Sequence, residues 1–168
     1  MADCPQAGPV RARFPDGKGR NGKMAGTDHT RKDSSTAAPG PAVILVAPQL
    51  GENIGTAARA MLNFGLTDLR LVRPRDGWPN ERARAAASGA DIVIEGARFF
   101  DTTAEALAGL DYVVATTARA RDMVKPILTP ATAAARMREA FAGGGHAGLL
   151  FGPERPGLEN DGLSLRHT

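Results

Sequence analysis

Residues 41–65 read P-A-V-I-L-V-A-P-Q-L-G-E-N-I-G-T-A-A-R-A-M-L-N-F-G, and their apolar period changes halfway. Ala42 to Ala47 is a continuous apolar run rich in β-branched residues. That pattern predicts a strand buried on both faces, as in a parallel sheet. Gly51 to Asn53 read as a loop, with Asn53 where a helix N-cap belongs. From Ile54 to Phe64, the residues Ile54, Ala57, Ala58, Met61, Leu62 and Phe64 share one broad face at helical spacing. Gly55 allows a close backbone approach, and Gly65 is placed to end the helix. Arg59 falls beside the apolar stripe, toward the polar face.

The same alternation continues downstream. Leu69 to Val72 predicts a second strand, and Glu81 to Ala87 an Ala-rich helix closed by Ser88 and Gly89. Ile92 to Ile94 reads as a third strand. Thr102 with Glu105 fits a capping box before a helix over Ala104 to Ala108. Tyr112 to Thr116 is a fourth strand. Thr129 and Pro130 suit the N-cap and first position of a helix to about Phe141, closed by Gly143 to Gly145. Ala147 to Phe151 is a fifth strand. Strand and helix in alternation predict an α/β fold with a mostly parallel sheet. Ligands of such sheets gather at the carboxyl ends of the strands. Three loops follow strand ends there: A-P-Q-L-G-E-N-I-G, T-T-A-R-A-R-D and G-P-E-R-P-G-L-E-N-D.

Upstream, residues 1–40 are rich in Gly, Pro, Ser, Thr and charge, without an apolar period. They predict a disordered extension, leaving 41–168 as the folded domain. The segment has no apolar core of a secretory signal, and its acidic residues and glycines disfavour a transit peptide. Met24 is a second candidate start, which N-terminal sequencing would decide. The chain's 168 residues suit one domain, and its formal charge is +3. Residues 1–40 hold 7 Lys/Arg and 4 Asp/Glu, so that excess of 7 − 4 is the whole net charge. Any nucleic-acid reading must therefore come from local placement of arginines. One cysteine excludes a disulfide framework and a Cys-rich zinc site. The three histidines are scattered, without the spacing of a zinc hydrolase. No apolar run approaches the roughly 20 residues of a membrane-spanning helix.

Two motifs carry the chemistry. N-x-G-x-x-x-R-x-x-x-x-F-G spans Asn53 to Gly65, and F-G-x-E-x-x-G-L spans Phe151 to Leu158. Each alone also fits an ordinary structure: a capped amphipathic helix with a solvated arginine, or a turn with surface charges at Glu154 and Arg155. Together, in this order, the two resemble the SpoU (TrmH-type) class of SPOUT RNA 2′-O-ribose methyltransferases, and within it the TrmJ-like branch that modifies tRNA. Matching pieces are L-T-D-L-R-L-V-R-P-R at 66–75, A-A-S-G-A-D at 86–91 and T-T-A-R-A-R at 116–121.

The resemblance implies transfer of a methyl group from S-adenosylmethionine to a ribose 2′-hydroxyl, without a metal, in the tRNA anticodon loop. It implies a Rossmann-like sheet threaded into a trefoil knot, a homodimer with groups contributed across its interface, and a cytoplasmic setting. Carried over, Arg59 matches the arginine assigned to the 2′-hydroxyl. A guanidinium is a poor base, so Arg59 is expected to orient phosphate and stabilise developing alkoxide. Asn53 matches the asparagine holding that loop. Glu154 matches the glutamate of the second motif, expected to orient Arg59 or an interface group. Thr116, Thr117 and Ala118 match the cofactor-lining turn, and Gly152 the glycine that lets the cofactor reach the backbone. Arg119 and Arg121 are either phosphate contacts or plain surface arginines.

The family's third motif, typically S-L-N-L, has no match before Thr168. The expectation is a C-terminally truncated domain that lacks the knot-completing segment. Two rival readings stand beside the enzyme. One is a non-catalytic RNA-binding or dimerising remnant. The other is a different α/β nucleotide enzyme, disfavoured because there is neither G-x-G-x-x-G nor a Walker lysine at Gly51–Gly55.

Overall fold

The computed structural model describes residues 10–11, 40–116 and 126–153. Along the chain come β1 (Val10–Arg11), β2 (Ala42–Val46), α1 (Gly51–Asn63), β3 (Leu69–Val72), α2 (Glu81–Ala87) and α3 (Asp91–Glu95). They are followed by β4 (Arg98–Phe100), α4 (Thr103–Leu107), β5 (Tyr112–Thr116), α5 (Pro130–Ala142) and β6 (Ala147–Phe151). The sheet order is β1-β4-β3-β2-β6-β5. All neighbours from β4 to β5 pair in parallel, and β1 alone is antiparallel, on β4.

The expected α/β fold with a mostly parallel sheet is thus the one observed. Central β2 explains its unbroken apolar sequence, because both of its faces are covered. Val43 packs with Ile54, Ala58 and Met61 of α1 and with Leu69 and Leu71 of β3. Ala42 and Ile44 pack on the other face with Val72, Leu150 and Ala106 of α4. The two-residue alternation of a strand sends successive side chains into opposite clusters.

Three local readings change. Ile92 to Ile94 is not a strand but lies in the helix α3, and the strand follows it at Arg98–Phe100. A strand would put Ile92 and Ile94 on one face. Instead Val93 and Ile94 are buried beside α1 and α2 while Ile92 is 64% exposed. The amides of both Val93 and Ile94 donate to the Ala90 carbonyl, so the local backbone turns. A three-residue apolar run does not distinguish these periods.

Helix α1 begins at Gly51, and its N-cap is Leu50 rather than Asn53. Asn53 sits in the first turn, its amide donating to the Leu50 carbonyl. Gly51 permits this early start by pressing on α2: a Cβ there would lie 2.4 Å from Asn80 Oδ1. That asparagine is itself occupied as the N-cap of α2, accepting from the amides of Arg82 and Ala83.

Within the segment read as disordered, Val10–Arg11 pairs with Phe99 and Arg98. The outer edge of β4 has free backbone groups to offer such a strand. The other expectations for residues 1–39 lie outside the described residues. The helix stops are as read: Gly65 adopts φ +72 and Ser88 φ +47. The capping box of Thr102 and Glu105 is formed in full, with α4 starting at Thr103.

Candidate functional site at the carboxyl edge of the sheet

Parallel register gathers the strand ends that matter. Leu45 pairs with Phe151, and Phe151 with Thr116, so β2, β6 and β5 terminate side by side. Thr116 Oγ1 donates to the Leu150 carbonyl at 3.2 Å and pins the end of β5 to β6. Its lone pairs remain available to a donor.

Between α1 and the β2–β6 pair runs an apolar groove of about 540 Å³. Leu45, Leu149 and Phe151 form its floor, and Ala57, Met61 and Phe64 one wall. Asn53, Pro48 and Gly152 close its end at the carboxyl edge. The structure therefore brings together Asn53 and Gly152, which the sequence offered from motifs a hundred residues apart. Thr116 stands on the neighbouring strand. The volume lies within the range of small-molecule pockets, and an apolar body with a few polar groups at one end is their usual make-up.

Arg59 is not part of this groove. Six residues after Asn53, it lies about 240° farther round the helix, is exposed, and makes no side-chain hydrogen bond or ion pair among the described residues. Thr117, Ala118, Arg119, Arg121 and Glu154 lie outside the described residues, as do the expectations about the chain beyond Pro153. Among the described residues there is no cluster of His, Cys, Asp and Glu able to hold a metal ion, and no helix long and apolar enough to cross a membrane.

Sequence reasoning missed the charged network that braces the opposite edge. Arg70, only 7% exposed within apolar β3, donates to the carbonyls of Ala106 and Ala108 at 2.7 and 3.2 Å. It thereby satisfies carbonyls at the end of α4. Asp68 accepts from Arg70 at 3.0 Å and from Arg98 at 2.5 Å. Burial alone would raise the Asp68 carboxyl, but these two guanidinium groups outweigh it and hold its pKa below the usual value. The signal was legible: a single arginine inside L-R-L-V, two residues after an aspartate.

Comparison with known proteins places these observations. The model of the SpoU rRNA methylase family matches residues 40–167. A tRNA (cytidine/uridine/adenosine-2′-O-)-methyltransferase TrmJ of Pseudomonas aeruginosa is 43% identical over 121 residues, 72% of this chain and 47% of the relative. The crystal structure of TrmJ from Z. mobilis ZM4 superposes with a TM-score of 0.70 at 62% identity, over 74% of this chain and 55% of that one. AviRb of Streptomyces viridochromogenes, a SpoU methyltransferase solved with AdoMet, shares the fold at a TM-score of 0.53 and 17% identity, over 78% of this chain and 47% of that one. The chain spans about half the length of the curated relatives it matches.

Proposed function

The chain belongs to the SpoU rRNA methylase family, and from that premise we propose that it is an S-adenosylmethionine-dependent RNA 2′-O-ribose methyltransferase acting on tRNA. The observation that carries the reading is the meeting of Asn53 and Gly152 at one end of one groove, beside the Thr116 hydroxyl. The relatives named tRNA 2′-O-methyltransferases support tRNA as the substrate, and its anticodon loop is the proposed target.

Gly152, Thr116, Thr117 and Ala118 would hold S-adenosylmethionine at this edge. That group supplies an electrophilic methyl on sulfur. Gly152 offers bare backbone at the point of approach, and Thr116 an acceptor oxygen. Asn53 holds the first turn of α1 against them. Arg59 carries a guanidinium, a planar fork of donors suited to phosphate oxygens. Its task is to orient a backbone phosphate and to stabilise negative charge developing on the ribose oxygen. Because Arg59 faces away from the groove on its own chain, it serves a site on a second copy, in a homodimer. The exposure of Phe64, 81%, beside the groove supports an apolar interface there. Glu154 orients Arg59 or an interface group, and Arg119 and Arg121 contact phosphate. Residues 41–168 form the methyltransferase domain, and the setting is the cytoplasm, where tRNA is modified.

The test is transfer of labelled methyl to an unmodified tRNA transcript, followed by alkaline hydrolysis. A 2′-O-methylated ribose leaves its phosphodiester uncleaved. The reading expects one protected step in the anticodon loop, lost in Arg59→Ala with S-adenosylmethionine affinity kept. Label in a base, or none in RNA, would contradict it.

A further inference from the structure

Two non-glycine residues adopt left-handed backbone at neighbouring strand ends. Ala47, just past β2, has φ +46, and Arg73, just past β3, has φ +42. Val46 pairs with Val72, so the two stand next to one another at the carboxyl edge. Their amides stay in the sheet's pattern: Ala47 donates to Val72 and Arg73 to Phe100. The left-handed region crowds Cβ against the carbonyl, and glycine would occupy it without strain. Strained residues of this kind concentrate where a side chain is needed at a site.

Arg73 is exposed, and its guanidinium makes no hydrogen bond or ion pair among the described residues. The neighbouring Arg75 differs: its side chain is held by Asp76 at 3.0 Å. Its amide donates to Pro48, tying the loop after β3 to the loop that leads into α1. Among the described residues, Arg73 is thus an uncommitted cation on a fixed backbone. Its strand lies two strand spacings, about 10 Å, from β6, which leads into Gly152.

We propose that Arg73 is a phosphate-binding residue of the RNA face, steering the nucleic-acid backbone across the carboxyl edge beside the methyl-transfer site. The inference rests on the RNA-methylation reading. A guanidinium presents five donors in a planar fork suited to phosphate oxygens. A contact of this type raises affinity irrespective of sequence and carries a salt dependence.

The experiment measures binding of an unmodified tRNA transcript to the full chain over a series of salt concentrations, for the wild type, Arg73→Gly and Arg138→Ala. Glycine relieves the backbone, so Arg73→Gly should melt no lower than wild type. Its tRNA affinity should fall about threefold to tenfold at low salt, and its log–log salt slope should shrink by about 1. Arg138→Ala removes one exposed charge near the end of α5 and should leave the slope unchanged. S-adenosylmethionine affinity should be the same in all three. Wild-type affinity and slope in Arg73→Gly would overturn the assignment while leaving the methyltransferase reading in place. No tRNA binding by the wild type would overturn both.

Discussion

Thr116 closes β5 by donating its hydroxyl hydrogen to the Leu150 carbonyl, 3.2 Å away on β6. The bond fixes the last residue of one strand against the strand that leads into Gly152. Thr116→Val keeps the shape and removes the hydroxyl. One part-buried hydrogen bond is worth about 0.5–1.5 kcal/mol, so the melting temperature should drop by only a few degrees. S-adenosylmethionine affinity should drop severalfold, because the acceptor oxygen at the proposed site is lost. Calorimetry beside a thermal melt separates the two effects. Unchanged affinity would remove Thr116 from the site.

Gly55 is where α1 meets α2. A Cβ there would lie 2.2 Å from the Ala83 carbonyl oxygen and 2.7 Å from Ala86 Cβ. The obstacle is backbone, so no rotamer change relieves it. Gly55→Ala gains helix propensity of up to about 1 kcal/mol but forces the helices apart, and overpacking costs about 1–3 kcal/mol. Net destabilisation is expected in urea unfolding. A variant more stable than wild type would contradict the packing described.

The Asp68–Arg70–Arg98 network makes stability depend on pH in one direction. The Asp68 carboxyl is held below its ordinary value of 3.8. Its contribution is therefore present in full above that value and is lost as pH falls through the lower folded-state pKa. Asp68→Asn should melt below wild type at pH 7. A loss on the order of 2 kcal/mol is expected, less than for a fully buried pair because the carboxyl is partly exposed. The gap should narrow as the pH is taken from 5 toward 2. A constant gap across that range would mean that the carboxylate charge contributes nothing.

Ile92 and Ile94 distinguish α3 from the strand that their sequence suggests. Ile92 is 64% exposed and Ile94 1%. Ile92→Lys should change unfolding free energy by no more than about 0.5 kcal/mol. Ile94→Lys buries an unpaired charge and should cost several kcal/mol or prevent folding. Equal effects at both positions would favour the strand.

These cases show what the sequence could and could not reveal. Buried strands such as A-V-I-L-V and A-G-L-L-F were legible because a central parallel strand needs apolar residues on both faces. Caps at Thr102 and Thr129 were legible because their chemistry is local. Ile92–Ile94 was not, since its conformation is decided by α1 and α2 packing over it. Asn53 fits an N-cap by residue type, since asparagine is favoured there, but α1 already starts at Gly51, which packs against Asn80, a contact distant in sequence. At the site, Asn53 and Gly152 could be named from motifs, yet their common groove exists only through the β2–β6 register. Nothing in the residue types announces the left-handed backbone at Arg73.

The proposed S-adenosylmethionine site is the carboxyl edge between β2, β6 and β5. A calorimetric titration of the 168-residue chain with S-adenosylmethionine tests it most directly, with Gly152→Val as the site variant and NAD and ATP as competitors. Saturable binding is expected that S-adenosylhomocysteine displaces and NAD and ATP do not, and that Gly152→Val abolishes while keeping a cooperative melt. A cooperatively folded wild-type chain that takes up no S-adenosylmethionine, or binds it undiminished in Gly152→Val, would contradict it.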